Sequence, residues 1–445
     1  MEYFPLHREE HQLDYSSSIV RWLIVFAAVA EIFLLYLFAI KDAGMLGIVL
    51  VVGMASAIVI FFCPRIGVLF VIGLIYSNLA AVVGGGIFKL IVLFTMIAWL
   101  INNFMSDPKF VSHRVNVIIL IFSFFALISL VSAASTELAI EALMNYLKSM
   151  ILYFLVIHLI DTPRLLRYAF WVIVIAAGVT AVYGMSTFMS DPFMSSRVSS
   201  FREDPNNLAI VLVTAVPISV SLIKTEKRLI SKIILAAIGM AILITINLTY
   251  SRGGMLALGV VLMALLYNER KNKVFAVISV IVLIIVVYLF VEKLSHYQKL
   301  LRLVTEDQSF IQRYRLYRGG IRMFLDHPVF GVGLGNFIVW STRYTGLIMA
   351  LYAHNIFLHI GAETGIGGLL AYIFIFYLAW RSVKKAGTVA MEKNNPVLLN
   401  YAFGIKVSLL GFTIAGLFLS QHFNKALWVI LGLCIAIEVI CGKDD

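Results

Sequence analysis

KIILAAIGMAILITINLTYSRGGMLALGVVLMALLY, residues 232–267, is the stretch on which the reading of the fold turns. Two apolar runs, 232–248 and 253–267, are separated by a short turn that carries a single arginine. Neither run offers the polar surface a water-soluble segment needs, and each approaches the length that crosses about 30 Å of hydrocarbon. Working outward, similar runs fall at 19–40, 44–62, 66–83, 87–104, 114–133, 138–160, 165–189, 207–223, 273–291, 355–380, 400–419 and 424–441. The runs at 207–223, 232–248 and 253–267 are short enough to be tilted, broken or re-entrant, so 12–14 transmembrane helices are predicted. The 445 residues are 61% hydrophobic and only 13% charged, against roughly 25% charged in a soluble domain. The fold class is therefore an all-α polytopic integral membrane protein, with lipid as its main solvent.

The formal charge of +11 does not point to nucleic acid, because the basic residues sit in short connections between apolar runs. Membrane proteins gather them there for orientation. With the N-terminus inside, the inner loops hold sixteen basic residues, among them Arg65, Arg167, Lys385 and Lys393. The short outer connections hold six: Lys41, Lys89, Arg197, Arg202, Arg252 and Lys425. Both termini are then cytoplasmic, and the one long polar insertion, 292–354, faces outward. A single transmembrane domain, 1–445, with that loop inserted is expected. Met1–Ser18 lacks a signal-peptide pattern, so insertion through a retained first span is expected. Cys63, Cys434 and Cys441 form no disulfide framework and no metal-ligand spacing.

The informative residues break the orientation rule. Arg197 and Arg202 flank Val198–Phe201, and Arg252 lies in Tyr250-Ser251-Arg252-Gly253-Gly254. Guanidinium forks grip phosphate oxygens in pairs and stay charged; several at the outer leaflet point to a phosphate or pyrophosphate ligand. Snorkelling into lipid headgroups accounts for Arg302, Arg343 and Lys425. The glycines after Arg252 would allow a ligand to approach the backbone. In Phe201-Arg202-Glu203-Asp204-Pro205-Asn206-Asn207, Asp204 or Asn206 caps the next helix with Pro205 in its first turn. Capping does not explain the whole charged cluster, so Glu203 and Asn206 are candidate substrate contacts. Gln308–Asp326 reads as an amphipathic helix on which Arg315, Arg318 and Arg322 share a face, with Ile311, Tyr314, Met323 and Phe324 towards the membrane. It is either an interfacial helix or a lid over a lipid phosphate. The glycine turn 331–335 is a weak signal for a phosphate cradle. His354-Asn355 tops the next span; the imidazole exchanges a proton near neutral pH. Glu363 follows about 13 Å deeper at the helical rise. Glu141, Asn145 and Lys148 line one face of the sixth span, read as a structural ion pair or, for Lys148, as a proton-path or ligand residue, and Glu31 lies in the first.

In this order, the elements resemble the O-antigen ligase/polymerase family of bacterial membrane glycosyltransferases, over roughly 195–380. The matching stretches are Arg202–Asn207; Ser251-Arg252-Gly253-Gly254; Arg315 through Asp326-His327-Pro328 to Gly331-Val332-Gly333; and His354-Asn355 with Glu363-Thr364-Gly365-Ile366-Gly367. The resemblance implies a GT-C-like fold in the inner membrane and an undecaprenyl-pyrophosphate-linked glycan donor. It implies transfer on the periplasmic side without metal or other cofactor; in-line attack then predicts inversion at the anomeric carbon. The acceptor would be lipid A-core for a ligase or a second lipid-linked glycan for a polymerase. Arg202, Arg252 and His354 would be catalytic; Arg197, Glu203, Asn206, Arg315, Arg318, Arg322 and Glu363 would contact substrate. A transporter or flippase for an anionic lipid is the alternative of another class, and predicts charge at mid-membrane in paired halves.

Overall fold

The computed structural model describes residues 56–79, 85–105, 110–190, 198, 204–268, 308–419 and 423–443. The candidate spans 19–40 and 273–291, and Glu31, lie outside the described residues. Thirteen α-helices fall within them. These are α1 (Pro64–Tyr76), α2 (Gly85–Met105), α3 (Arg114–Ile128), α4 (Thr136–Leu159), α5 (Pro163–Ser190), α6 (Pro205–Thr225) and α7 (Leu229–Leu248). They continue with α8 (Arg252–Asn268), α9 (Gln308–Asp326), α10 (Phe337–Thr345), α11 (Ile356–Glu392), α12 (Pro396–Gly416) and α13 (Lys425–Gly442). A 3-10 turn, Ser129–Ser132, extends α3. Among the described residues no strand occurs. Among the described residues nine helices are long and apolar enough to cross a membrane: α2 to α7 and α11 to α13, with α1 and α8 shorter apolar helices. The chain is an all-α polytopic membrane protein, as the apolar runs require. The segments 207–223 and 232–248 are continuous helices rather than broken ones.

Local sequence sets the helix starts. The side chains of Ser135, Asp204, Asn355, Asn395 and Asn424 each accept a backbone N–H in the first turn of the helix that follows. Each cap satisfies an N–H that has no partner within its own helix. α6 and α13 are the most enclosed helices, and α12 packs along α6, α11 and α8. Rings join the layers: Phe122 of α3 lies 4.9 Å from Tyr146 of α4, which lies 5.3 Å from Trp428 of α13. The outermost helices turn Leu90, Leu93, Val117, Leu120, Phe124, Ile230 and Ile233 outward. Such a surface is favourable only against lipid.

The bundle has two distinct ends. At one, Arg65 Nη2 lies 2.7 Å from Asp161 Oδ2, and Arg167 makes a bidentate pair with Glu226 at 2.8 and 2.7 Å. Glu438 there accepts from Lys385 at 2.9 Å and lies 3.1 Å from His113; Lys443 reaches the Asp161 carbonyl at 2.9 Å. Arg65, Arg167 and Lys385 are residues that the orientation rule put in inner loops. The other end of α4, α6 and α13 carries Ser135, Asp204 and Asn424, and the 308–354 segment packs there. Ser135 N donates to Asn336 Oδ1 at 2.7 Å, and Asn336 Nδ2 donates back to the Ser135 carbonyl at 3.1 Å.

That segment is fastened to a break in α11. Gly365 has φ 70 and ψ −169, a conformation essentially confined to glycine. The break frees backbone groups, and the turn after α9 takes them. Ile366 N donates to the Pro328 carbonyl at 2.8 Å, Val332 N to the Ala362 carbonyl at 2.8 Å and Gly333 N to the Glu363 carbonyl at 3.0 Å. A Cβ on Gly331 or Gly365 would collide with the opposing backbone. The glycine turn is thus a backbone joint and not the phosphate cradle that its spacing suggested. Gly365→Ala is expected to cost about 2 kcal/mol or more from strain alone. The measurement is thermal unfolding in detergent, where an unchanged midpoint would contradict the joint.

Candidate active site

His354 closes the loop segment and Asn355 caps α11 behind it, its side-chain oxygen 3.0 Å from both Phe357 N and Leu358 N. His354 itself has φ +53, a left-handed conformation that is costly for a side chain with a Cβ. The Tyr317 hydroxyl of α9 holds it there, 3.2 Å from the His354 carbonyl and 2.8 Å from the Leu417 carbonyl at the end of α12. Three elements therefore converge on one tyrosine hydroxyl.

The charges around His354 come from Arg313 of α9, Asp204 at the cap of α6, and His359 one turn into α11. Burial pushes the His354 imidazole below its ordinary 6.5; Arg313 and His359 push the same way, and Asp204 opposes them. The ring is then neutral at neutral pH, with a lone pair available for a proton. Asp204 accepts from Asn206 N at 2.9 Å and from Asn206 Nδ2 at 3.0 Å. Of the two cap candidates, Asp204 is the cap, with Pro205 the first helical residue. Asn207 Oδ1 accepts from Asn424 Nδ2, joining the starts of α6 and α13.

Arg252 is the exposed first residue of α8. Tyr250 before it has φ +50, and Ser251 Oγ accepts Gly254 N at 3.2 Å, so the turn is tight and capped. The two glycines serve packing rather than ligand approach: a Cβ on Gly253 would lie 2.8 Å from Phe418 Cβ, and one on Gly254 2.6 Å from Ala209 Cβ. Phe418 adjoins Leu417, the residue that Tyr317 bonds. The start of α8 and the His354 loop are thus built around the same end of α12, on the same side of the bundle.

The helix α9 presents a different arginine from those its pattern singled out. Leu316, Gly319, Gly320 and Met323 face inward, and Arg315, Arg318 and Arg322 are exposed. Arg313 and Tyr317 stand on the flank towards His354, half a helical turn round from Arg315 and Arg322. The exposed apolar residues are Ile311, Tyr314, Ile321 and Leu325; Met323, expected on the membrane, is fully buried. Apolar and arginine flanks side by side suit a helix lying in a membrane interface. The signal missed in the sequence was the pair Arg313 and Tyr317, one turn apart.

Glu363 is fully buried. Its Oε1 accepts Phe337 N at 3.0 Å and lies 3.0 Å from His359 Nε2, so it acts on the site by holding His359 and the start of α10. Tyr352 stacks on His359 at 5.6 Å between centroids. The Glu141–Lys148 ion pair expected in α4 is not formed: Lys148 Nζ instead donates to Asn145 Oδ1 at 3.2 Å, one turn nearer the site end. Arg197, Arg202 and Glu203 lie outside the described residues.

Residues 235–373 match a family described as O-Antigen ligase. The stretch runs from within α7 into α11 and contains Arg252, Arg313, Tyr317, His354 and Glu363. The match supports the O-antigen ligase/polymerase family that the ordered motifs resemble. No curated protein matches the chain.

Proposed function

We propose, taking the O-antigen ligase match as premise, that the protein moves a glycan from undecaprenyl pyrophosphate to a hydroxyl of lipid A-core. The step would occur at the periplasmic face of a bacterial inner membrane, with both termini in the cytoplasm. Ligase/polymerase-type action on lipid-linked glycans is what the match itself supports. The observation that carries the finer reading is the meeting of a neutral His354 with Arg313, beside the end of α12 on which the Arg252 turn packs.

The acceptor hydroxyl gives its proton to the neutral His354 ring as its oxygen attacks the anomeric carbon. The bond from that carbon to the pyrophosphate oxygen breaks, and the electron pair leaves with the pyrophosphate. Arg252 and Arg313, with Arg202, neutralise the charge that develops; fixed cations in a water-poor site are usually the largest catalytic contribution. Because the leaving group is already a good one, no metal is needed, and attack from the opposite face inverts the anomeric configuration. Glu363 keeps His359 in place, and Asp204 favours the imidazolium that forms on His354. His354, Arg313 and the Arg252 turn lie together at one end of the bundle, which favours transfer at a membrane face.

The test is reconstitution of the full chain with undecaprenyl-pyrophosphate glycan and lipid A-core, without nucleotide. Product from wild type, and its loss in Arg252→Ala at normal expression, is expected. A wild-type rate in Arg252→Ala would remove the proposal. A second lipid-linked glycan in place of lipid A-core separates polymerase from ligase.

A further inference from the structure

Lys148 is the charge that the chemistry above leaves unused. It lies twelve residues past Thr136, about 18 Å along α4 at the helical rise, in a helix long and apolar enough to cross a membrane. Ionisable groups at such depth are costly and usually mark a partner or a ligand. Its ammonium turns back towards the site end, donating to Asn145 Oδ1 at 3.2 Å. There it comes within electrostatic reach of a second lysine, Lys89 of α2, and of Glu141. Lys89 is exposed and Lys148 half-buried. Its neighbour Phe88 lies under the ammonium of Lys425, the first residue of α13, at 4.4 Å from the ring centroid. Three helices thus bring cations to one region, with Glu141 the acidic group that reaches Lys148 among the described residues. Two ammonium groups in a poor dielectric repel each other; snorkelling would draw them apart to the headgroups, and an anion between them would relieve the repulsion.

This region adjoins the candidate active site. Glu141 also reaches Tyr352 electrostatically, and Tyr352 stacks on His359, two residues before and five after His354. Asn424, beside Lys425, is bonded to Asn207 at the start of α6. The lysines belong to α2, α4 and α13, and Arg313 and the Arg252 turn to α9 and α8.

We propose that the face where α2, α4 and α13 meet is a second anion site, which holds the phosphate headgroup of the lipid acceptor through Lys89 and Lys148, with Lys425 at its rim. The inference rests on the transferase reading and adds where the acceptor is held: its phosphate on the lysines, so that its hydroxyl reaches His354 while the arginines hold the donor. Ammonium groups suit this role as adaptable point charges, whereas the pyrophosphate that must leave is met by rigid guanidinium forks.

The full chain in phosphatidylcholine nanodiscs is the material, and native mass spectrometry counts the lipids it retains. The probes are undecaprenyl pyrophosphate without sugar, phosphorylated lipid A, and dephosphorylated lipid A. Wild type is expected to retain two phosphorylated lipids and the Lys89→Gln/Lys148→Gln double variant one. Lys89→Arg/Lys148→Arg keeps both, and dephosphorylated lipid A is not retained at the second position. A second undecaprenyl pyrophosphate marks a polymerase-type acceptor, and lipid A a ligase-type one. In turnover, the glutamine variant raises the KM for acceptor on the order of tenfold, the worth of a weakened charge-assisted contact, and leaves the KM for donor unchanged. A wild type that retains a single lipid, or a second lipid displaced equally well by phosphatidylglycerol, overturns the second site. So does product formation with an unchanged acceptor KM in the glutamine variant. A protein that retains two lipids and forms no product overturns the transferase reading instead.

Discussion

Replacing His354 by asparagine is expected to lower glycan transfer by about 10²–10⁴-fold, the usual worth of a positioned general base. Asparagine is the informative choice because it tolerates a left-handed backbone, and His354 has φ +53. The substitution removes the ring without forcing the loop to refold. The pH profile supplies a second readout. The reaction needs the neutral ring, and burial with Arg313 holds the His354 pKa below 6.5. Wild-type kcat/KM is therefore level through neutral pH and falls only as pH drops below the ordinary histidine value. Removing a neighbouring cation raises the pKa and removing a neighbouring anion lowers it. Arg313→Gln should move the acid limb to higher pH, and Asp204→Asn should move it to lower pH. Limbs that stay in place in both variants would show that His354 is not the titrating group.

Arg313→Gln is also expected to lower turnover at optimal pH by about 10²–10³-fold, the cost of one preorganised group at a developing charge. Arg315→Gln, Arg318→Gln and Arg322→Gln should each cost less than about fivefold, the worth of one exposed charge contact. The contrast separates a helix that serves the site with its Arg313 flank from one that clamps substrate with its exposed face. Equal losses at Arg313 and Arg315 would reject the orientation of α9 derived above.

The two families of observation divide along physical lines. Membrane residence, helix class and the separation of the two ends were legible in the linear pattern, because each follows from local quantities. A run such as 232–248 is apolar irrespective of what packs on it, and Arg65, Arg167 and Lys385 were assigned to one end by charge alone. The cap at Asp204-Pro205 was legible for the same reason, since a side chain and the N–H two residues on decide it.

Where local pattern had two readings, tertiary contact chose. The glycines at 253–254 and 331–335 both looked like ligand-approach positions. Phe418, Ala209 and the backbone at Glu363 occupy the space that a Cβ would need, so both are packing joints. Arg315, Arg318 and Arg322 form the conspicuous face of α9, yet which flank meets His354 depends on the rotation of the whole helix. That rotation is set by burying Leu316, Gly319, Gly320 and Met323, and no arginine spacing records it. Lys148 and Lys89 are 59 positions apart in the chain, and only the packing of α2 near α4 brings them into one field. By itself the sequence determined the solvent, the helices and the end of the bundle where cations gather, since hydropathy and capping act over a few residues. Which cations face the imidazole was decided by tertiary structure alone, because long-range packing fixes the rotation and neighbours of each helix.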